Sequence, residues 1–172
     1  HIMQNHFISE NCTAIAIGMG LGIFENDEIK KILQKDISLI IDADLFYSKL
    51  ILEVLEKEVV LTPHPKEFCA LLKLCDIADI TIEELQNNRF LYVEKFSKKY
   101  PKTVLLLKGA NVIIVQNEKL YVNSFGSAVL SKGGSGDVLS GLIGSLLAQG
   151  YKALDAAISA SLAHTLAAKN YK

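Results

Sequence analysis

The fold class follows from residues 39–65, LIIDADLFYSKLILEVLEKEVVLTPHP, in which two apolar runs flank a helical pattern. Leu39-Ile40-Ile41 and Val59-Val60-Leu61 contain no polar residue, which is typical of strands that are buried on both faces. Between them, residues 45–57 place apolar side chains on one face and predict a helix. A strand, a helix and a strand in this order predict a parallel sheet that is covered by helices.

The same alternation continues on both sides of this stretch. Further strands are expected at 14–17 and 103–107, and a hairpin at 111–115 and 119–122. Helices are predicted at 26–34, from Pro65 onward, and at 82–99, 137–149 and 153–168. We therefore expect residues 1–172 to form a single α/β domain of three layers, in which helices flank a mostly parallel central sheet.

Composition restricts the classes of function. Half of the 172 residues are apolar and 22% are charged, as in a globular protein. The net charge is −1 and Arg89 is the only arginine, which argues against a nucleic-acid binder. Cys12, Cys69 and Cys75 are odd in number and have no zinc-site spacing, so they fit a reducing compartment. No secretory signal or membrane-length apolar run is found, and we expect a cytoplasmic protein that binds neither membrane nor nucleic acid.

Glycine and acidic residues follow the first two predicted strands, at the edge where parallel sheets bind ligands. The spacing of Gly18, Gly20 and Gly22 differs from that of a dinucleotide-binding fold, and they form either a turn that hugs a ligand or a simple tight turn. Asp42 and Asp44 could hold a metal ion or a substrate hydroxyl. Alternatively, they only hydrogen-bond the loop, with Asp44 capping the next helix.

Three more positions in the chain have polar residues with two interpretations each. His64 and Glu67 bracket a helix start and are either the two halves of a cap or, for Glu67, a site for hydrated Mg²⁺. Lys108-Gly109 ends a strand, where the lysine either binds phosphate as a point charge or is simply solvated. His164 lies in an apolar helix and is predicted to be a core histidine rather than a ligand.

The run Lys132-Gly133-Gly134-Ser135-Gly136-Asp137 precedes an apolar helix. Bare amides at a glycine-rich helix start bind phosphate, and an acid in such a loop suggests a base that takes a proton from a hydroxyl. The simpler alternative is an aspartate that only favours the helix dipole. The run is not a Walker A loop, since no Gly-Lys-Ser/Thr ends it.

Taken in order, five segments resemble those of the ADP/ATP-dependent NAD(P)H-hydrate dehydratases. These are repair enzymes with a ribokinase-like fold, also described as YjeF-related carbohydrate kinases. The segments are Ala16–Gly22, Ile41–Asp44, Leu61–Glu67, Leu107–Ala110 and Leu130–Gly141. The resemblance spans nearly the whole chain, whereas the glycine-aspartate motif alone would indicate only the ribokinase-like superfamily.

The resemblance implies the dehydration of hydrated NADH or NADPH (NADHX and NADPHX), driven by ADP or ATP with Mg²⁺. ADP would give AMP and phosphate. Hydroxide leaves poorly and a phosphate ester leaves readily, so the substrate hydroxyl would attack the terminal phosphate, and phosphate would then depart. The small-molecule substrate is the only partner implied apart from other copies of the chain.

The resemblance also assigns residues to this reaction. Asp137 matches the proton acceptor and contacts the substrate, and Glu67 matches an acid near the metal. The remaining assignments are nucleotide binding by Lys108, Gly109, Ala110, Asn111, Val112, Gly133, Gly134, Ser135 and Gly136, and substrate binding by Gly20, Gly22 and His64.

The chain departs from the family pattern at both ends. Family domains carry further strands and helices ahead of the Gly18 loop, and the tail after Ala168 is short. We therefore expect the C-terminal part of a domain, lacking its N-terminal portion and final tail, with apolar faces that a homo-oligomer would cover. Two alternatives to the dehydratase remain: a vitamin or sugar kinase of the same superfamily, and a non-catalytic nucleotide-binding fragment.

Overall fold

The computed structural model describes residues 11–22 and 26–170, which form a six-stranded sheet with the strands in chain order. The strands are β1 (Ala14–Ile17), β2 (Ser38–Ile41), β3 (Val59–Leu61), β4 (Val104–Leu107), β5 (Val112–Gln116) and β6 (Lys119–Asn123). β1 to β4 are parallel, and β5 and β6 add an antiparallel hairpin. The predicted mostly parallel sheet is confirmed. The expectation of an incomplete domain concerns the chain ends, of which residues 1–10 and 171–172 lie outside the described residues.

Helices cover both faces of this sheet, as predicted. One layer contains α1 (Asn26–Leu33), α2 (Pro65–Leu74), α3 (Ile82–Asn87) and α4 (Arg89–Lys99), and the other contains α5 (Ser135–Ala148) and α6 (Ala153–Lys169). Successive strand residues point to opposite layers: Leu39 and Ile41 pack in the first core, and Ile40 in the second. The runs without polar residues are apolar for this reason. Across the described helices, none combines the length and apolar character needed to cross a bilayer.

The prediction of one helix over 45–57 is wrong. The chain instead forms two short 3₁₀ helices, Ala43–Tyr47 and Lys49–Glu53, separated by Ser48 in an extended conformation. The Ser48 hydroxyl accepts a hydrogen bond from the Leu50 amide at 3.3 Å. This local bond offers the backbone an alternative to the helical ladder, which explains the break.

Two helix boundaries also differ from the prediction. The helix expected at 82–99 is divided at Asn88, whose backbone leaves the helical region and whose side-chain Nδ2 donates to Glu84 O at 3.2 Å. Helix α5 begins at Ser135 rather than Asp137, because Gly134 adopts a left-handed conformation, φ +84°, as its N-cap. Asp137 is therefore inside the first turn of α5.

Gly18 sets how closely the chain leaving β1 passes the chain leaving β2. Its φ is +122°, and a Cβ atom there would lie 1.7 Å from the carbonyl oxygen of Asp42. The contact is fixed by backbone hydrogen bonds of 3.0 Å from the Asp42 amide to Ile17 O and from the Asp44 amide to Gly18 O. Only glycine fits this position without a backbone shift.

We expect Gly18→Ala to lower the free energy of unfolding by about 3 kcal/mol, because it adds a clash with backbone to an unfavourable φ. Gly20→Ala is the matched control in the same loop. Its φ is +60°, but nothing lies within 4 Å of the added Cβ, so its cost should be about 1 kcal/mol. Urea denaturation of both variants measures the difference, and equal losses would contradict the close approach at Gly18.

Candidate active site

A cavity of about 730 Å³ opens beyond the carboxyl ends of β3 and β4, between the start of α5 and the middle of α6. Its walls come from four stretches of chain that are far apart in the sequence. They are His64 and Pro65; Lys108, Gly109, Ala110 and Val112; Gly126–Ala128, Leu130–Gly136 and Leu139; and Ser161, His164 and Thr165. A larger depression of about 850 Å³ lies near Ser38 and Val59, at the amino ends of the strands, where parallel sheets do not usually bind ligands.

Most residues that the sequence assigns to the nucleotide line this one cavity. Lys108, Gly109, Ala110 and Val112 meet the glycine loop 133–136 there, together with His64. Five assigned residues do not line it: Asn111, Asp137, Glu67, Gly20 and Gly22. The two glycines follow β1, where the Leu21 amide between them donates to Asp44 Oδ2 at 3.2 Å.

A buried charged group joins the sheet to α5 beneath the glycine loop. Lys108 Nζ lies 2.7 Å from Asp42 Oδ1, and the hydroxyl of Ser140, in α5, donates to Asp42 Oδ2 at 3.1 Å. A Cβ atom on Gly136 would lie 3.1 Å from Lys108 Nζ. The ammonium group therefore lies directly under the first turn of α5. The interpretation of Lys108 as a simply solvated lysine is wrong.

The two aspartates after β2 have different roles. Asp42 caps the first 3₁₀ helix by accepting from the Ala43 amide at 2.9 Å, so the alternative in which Asp44 is the cap is wrong. Asp42 is 2% exposed because its carboxylate is enclosed by Lys108 and Ser140. Asp44 is exposed and holds the glycine turn through Leu21 instead.

The start of α5 offers amide groups to an anion. The first amides of an α-helix have no intrahelical acceptor, and Gly134 at the N-cap has no side chain to satisfy them. The glycine loop therefore presents donors and a positive helix end to the cavity, with the Lys108 ammonium below. Asp137 is the third residue of α5 and is exposed, but it does not line the cavity. The arrangement can hold phosphate in the cavity, and it offers a solvent-exposed carboxylate in the same helical turn as the glycine loop.

His164 is not the core histidine that the sequence predicts. It lines the cavity, and its Nε2 lies 3.3 Å from the hydroxyl oxygen of Ser135 in the glycine loop. Burial lowers the pKa of His164, and the Lys108 ammonium lowers it further, so the neutral imidazole is favoured. Ser161 and Thr165 are further residues that the sequence interpretation missed. A signal for these residues was available in the sequence. Serine, histidine and threonine occupy positions i, i+3 and i+4 of an apolar helix, and residues at this spacing lie on one face.

Glu67 and His64 form a complete helix cap at the start of α2. Glu67 Oε2 accepts from the His64 amide at 2.8 Å, and His64 Nδ1 accepts from the Glu67 amide at 3.2 Å. The other carboxylate oxygen, Oε1, lies 3.1 Å from His64 Nε2. Burial raises the pKa of Glu67, while the His64 amide and the Lys108 ammonium counteract part of that rise.

The described residues near the carboxyl ends of the strands do not provide a full set of protein ligands for a metal ion. No group of three or more His, Cys, Asp or Glu that could hold a metal ion is found within residues 11–22 and 26–170. Mg²⁺ usually binds one or two carboxylates and takes its other oxygens from phosphates and water. These residues therefore fit a magnesium ion only in company with a bound phosphate.

We expect Asp42→Asn to lower the free energy of unfolding by about 2 kcal/mol, because it leaves the Lys108 ammonium without its counter-charge. The side chain of Lys108 is 23% exposed, so the loss should stay below that of a fully buried pair. Asp79→Asn is the control, since Asp79 pairs with Lys73 at the same 2.7 Å but in solvent. Its cost should be under about 0.5 kcal/mol by urea denaturation. Similar costs for both variants would show that the buried pair adds no stability.

A family model and the relatives of similar sequence point to the same family. The family model described as NAD(P)H-hydrate dehydratase matches residues 2–172. The bifunctional NAD(P)H-hydrate repair enzyme Nnr of Helicobacter pylori is 52% identical over 163 residues, which cover 93% of this chain and 34% of that protein.

Two solved structures resemble the fold. The ADP/ATP-dependent NAD(P)H-hydrate dehydratase from Bacillus subtilis, co-crystallised with ATP and Mg²⁺, matches with a TM-score of 0.70 and 30% identity, over 90% of this chain and 54% of that one. A ribokinase-like superfamily protein from Enterococcus faecalis matches with a TM-score of 0.63 and 27% identity, over 90% and 54% of the two chains. The predicted ribokinase-like fold is confirmed. The chain spans about a third of the H. pylori protein and about half of these two structures.

Proposed function

The chain belongs to the NAD(P)H-hydrate dehydratase family, and we propose that the protein containing it dehydrates hydrated NADH and NADPH with ADP as the phosphoryl donor. The observation that supports this proposal best is the common cavity. It brings the Lys108–Val112 segment together with the glycine loop, and the Lys108 ammonium lies beneath the loop. The exposed Asp137 belongs to the first turn of the same helix, whose start can bind phosphate.

The reaction proceeds in two steps. The substrate hydroxyl loses its proton to Asp137 and attacks the β-phosphorus of ADP, while the bond to the bridging oxygen breaks and AMP leaves. The carbon–oxygen bond of the phosphate ester then breaks, and inorganic phosphate departs with its electron pair. Loss of a proton from the adjacent ring carbon restores the double bond of the nicotinamide ring. Without the phosphoryl group, hydroxide would have to leave.

The described geometry suggests how the residues divide this work. The amides of the glycine loop and the Lys108 ammonium stabilise the negative charge of the transferred phosphoryl group. The resemblance to the dehydratases assigns the contacts with the hydrated dinucleotide to His64, Gly20 and Gly22, and of these only His64 lines the cavity. Glu67 would hold a hydrated Mg²⁺ through water, and the ion would supply positive charge to the phosphates. ATP is the alternative donor, since the same loop would hold its terminal phosphate.

The setting of the enzyme is part of the same proposal. Residues 1–172 belong to one ribokinase-like domain that is completed by further chain. This is in accordance with the comparisons, in which the chain covers 34% of the H. pylori protein and 54% of the B. subtilis structure. The protein acts in the cytoplasm as a homo-oligomer. Unpaired Cys12, Cys69 and Cys75 support the reducing compartment, and the exposed Val138 and Leu166 support contact with another copy.

An assay with ADP, Mg²⁺ and prepared NADHX tests the proposal. We expect one AMP and one phosphate for each NADH restored, followed by nucleotide chromatography and by NADH absorbance. A stable phosphorylated small molecule would instead show a kinase. Nucleotide binding without turnover in the complete protein would show a non-catalytic binding unit.

We expect Asp137→Asn to lower turnover by about 10²- to 10⁴-fold, because the variant keeps the shape of the side chain and loses the proton acceptor. AMP affinity should be retained, since removing a negative charge beside phosphate does not weaken binding. Asp155→Asn is the matched control, as Asp155 is also the exposed third residue of its helix, α6. Undiminished turnover in Asp137→Asn would remove Asp137 from the mechanism.

A further inference from the structure

Arg89, the only arginine of the chain, holds the turn between β4 and β5. Its Nη1 donates to Asn111 O at 3.0 Å, and its Nη2 donates to Lys108 O at 3.1 Å and to Leu107 O at 3.4 Å. One planar guanidinium group thus bonds three carbonyl groups of a five-residue segment. That segment is the one that lines the cavity with Lys108, Gly109 and Ala110.

This position is unfavourable for an arginine by local criteria. Arg89 is the first residue of α4, where a cation opposes the helix dipole. Its side chain is half-buried, and burial lowers the pKa of the guanidinium group. Its Nε is buried with no hydrogen-bond partner, and Arg89 takes part in none of the ion pairs among the described residues. A residue whose placement lowers stability in these ways is typical of a functional site, where the geometry is required for function.

Gly109 and Arg89 are fitted to each other. Gly109 has φ +153°, and a Cβ atom there would lie 2.9 Å from Arg89 Nη2 and 3.2 Å from Cζ and Nη1. The turn therefore has a glycine at a place where a side chain would displace the guanidinium group. On the opposite side, the Lys108 amide donates to Pro63 O at 2.9 Å, so the turn is held from both sides.

The direction of these carbonyl groups fixes the direction of the amides that follow them. In a trans peptide the C=O and N–H bonds point in opposite directions. Leu107 O points to Arg89, and the Lys108 N–H accordingly points away from it, to Pro63. By the same geometry, Lys108 O on Arg89 turns the Gly109 N–H away from the guanidinium group. No described residue accepts a hydrogen bond from that N–H, and Gly109 lines the cavity.

We propose that Arg89 is a positioning residue of the nucleotide site, which fixes the β4–β5 turn so that the Gly109 N–H donates to an oxygen of the bound nucleotide. The proposal rests on the proposed function, since it assumes a nucleotide in the cavity. Arg89 acts through the turn and does not touch the nucleotide. Asp42 holds the Lys108 ammonium independently of Arg89, so the phosphoryl-transfer step itself is preserved without the guanidinium group.

The test compares Arg89→Met, Arg89→Lys and Lys98→Met in the complete protein. Arg89→Met should raise the AMP Kd and the ADP KM by about 10- to 100-fold, which is the effect expected when a binding group is displaced by a small distance. The kcat should change by less than about threefold. Arg89→Lys keeps the charge but cannot reach all three carbonyl groups, so it should fall between wild type and Arg89→Met. Lys98→Met removes an equal charge from an exposed site on the same helix and should bind AMP like wild type.

Two readouts separate positioning from mere stabilisation of the fold. AMP should shift the Gly109 amide resonance of the wild type and fail to do so in Arg89→Met, measured well below the Tm of both. In Arg89→Ala, added guanidinium ion should restore AMP affinity at millimolar concentration.

Unchanged AMP affinity in Arg89→Met, or an equal loss in Lys98→Met, would overturn the inference and leave the proposed function intact. A wild-type protein that binds neither AMP nor ADP would overturn both.

Discussion

The ion pair between Lys108 and Asp42 connects three parts of the fold at one buried carboxylate. Asp42 follows β2, Lys108 follows β4, and the Ser140 hydroxyl brings α5 to the same carboxylate. A charge this deeply enclosed needs compensation for lost hydration, and the compensation exists only if all three elements are in place. The position of the glycine loop over the sheet therefore depends on this pair. The cavity in turn depends on that position.

Three glycines show that the site is made by backbone segments approaching one another. Gly18 lets the chain leaving β1 pass against Asp42, and Gly109 makes room for Arg89. Gly126 allows the loop before α5 to lie against Ala110, where a Cβ atom would come within 1.9 Å of the carbonyl oxygen. Such contacts bring main-chain donors close to a ligand in a way that side chains at these positions would prevent.

Periodicity was sufficient to predict the sheet, because strands buried on both faces must be apolar throughout. It failed at Ser48 and Asn88, where a short polar side chain competes for backbone hydrogen bonds within a run that is otherwise helical. The glycine loop and Lys108 could be found from local motifs. Arg89 could not, since its partners lie far away in the sequence and no local spacing records them. His164 left a local signal in its spacing from Ser161 and Thr165, but its partner Ser135 lies 29 residues away.

The order of the strands has a consequence for how the chain reaches its native state. Each strand pairs with its neighbour in the sequence, so no strand pairing of the described sheet closes a longer loop than the one between β3 and β4. The bond between Ser140 and Asp42 instead joins residues 98 apart. The cavity therefore requires contacts of long sequence separation, which exist only once α5 has packed on the sheet. A chain whose sheet has formed without α5 lacks the cavity, so a ligand of the cavity stabilises the fully folded molecule alone.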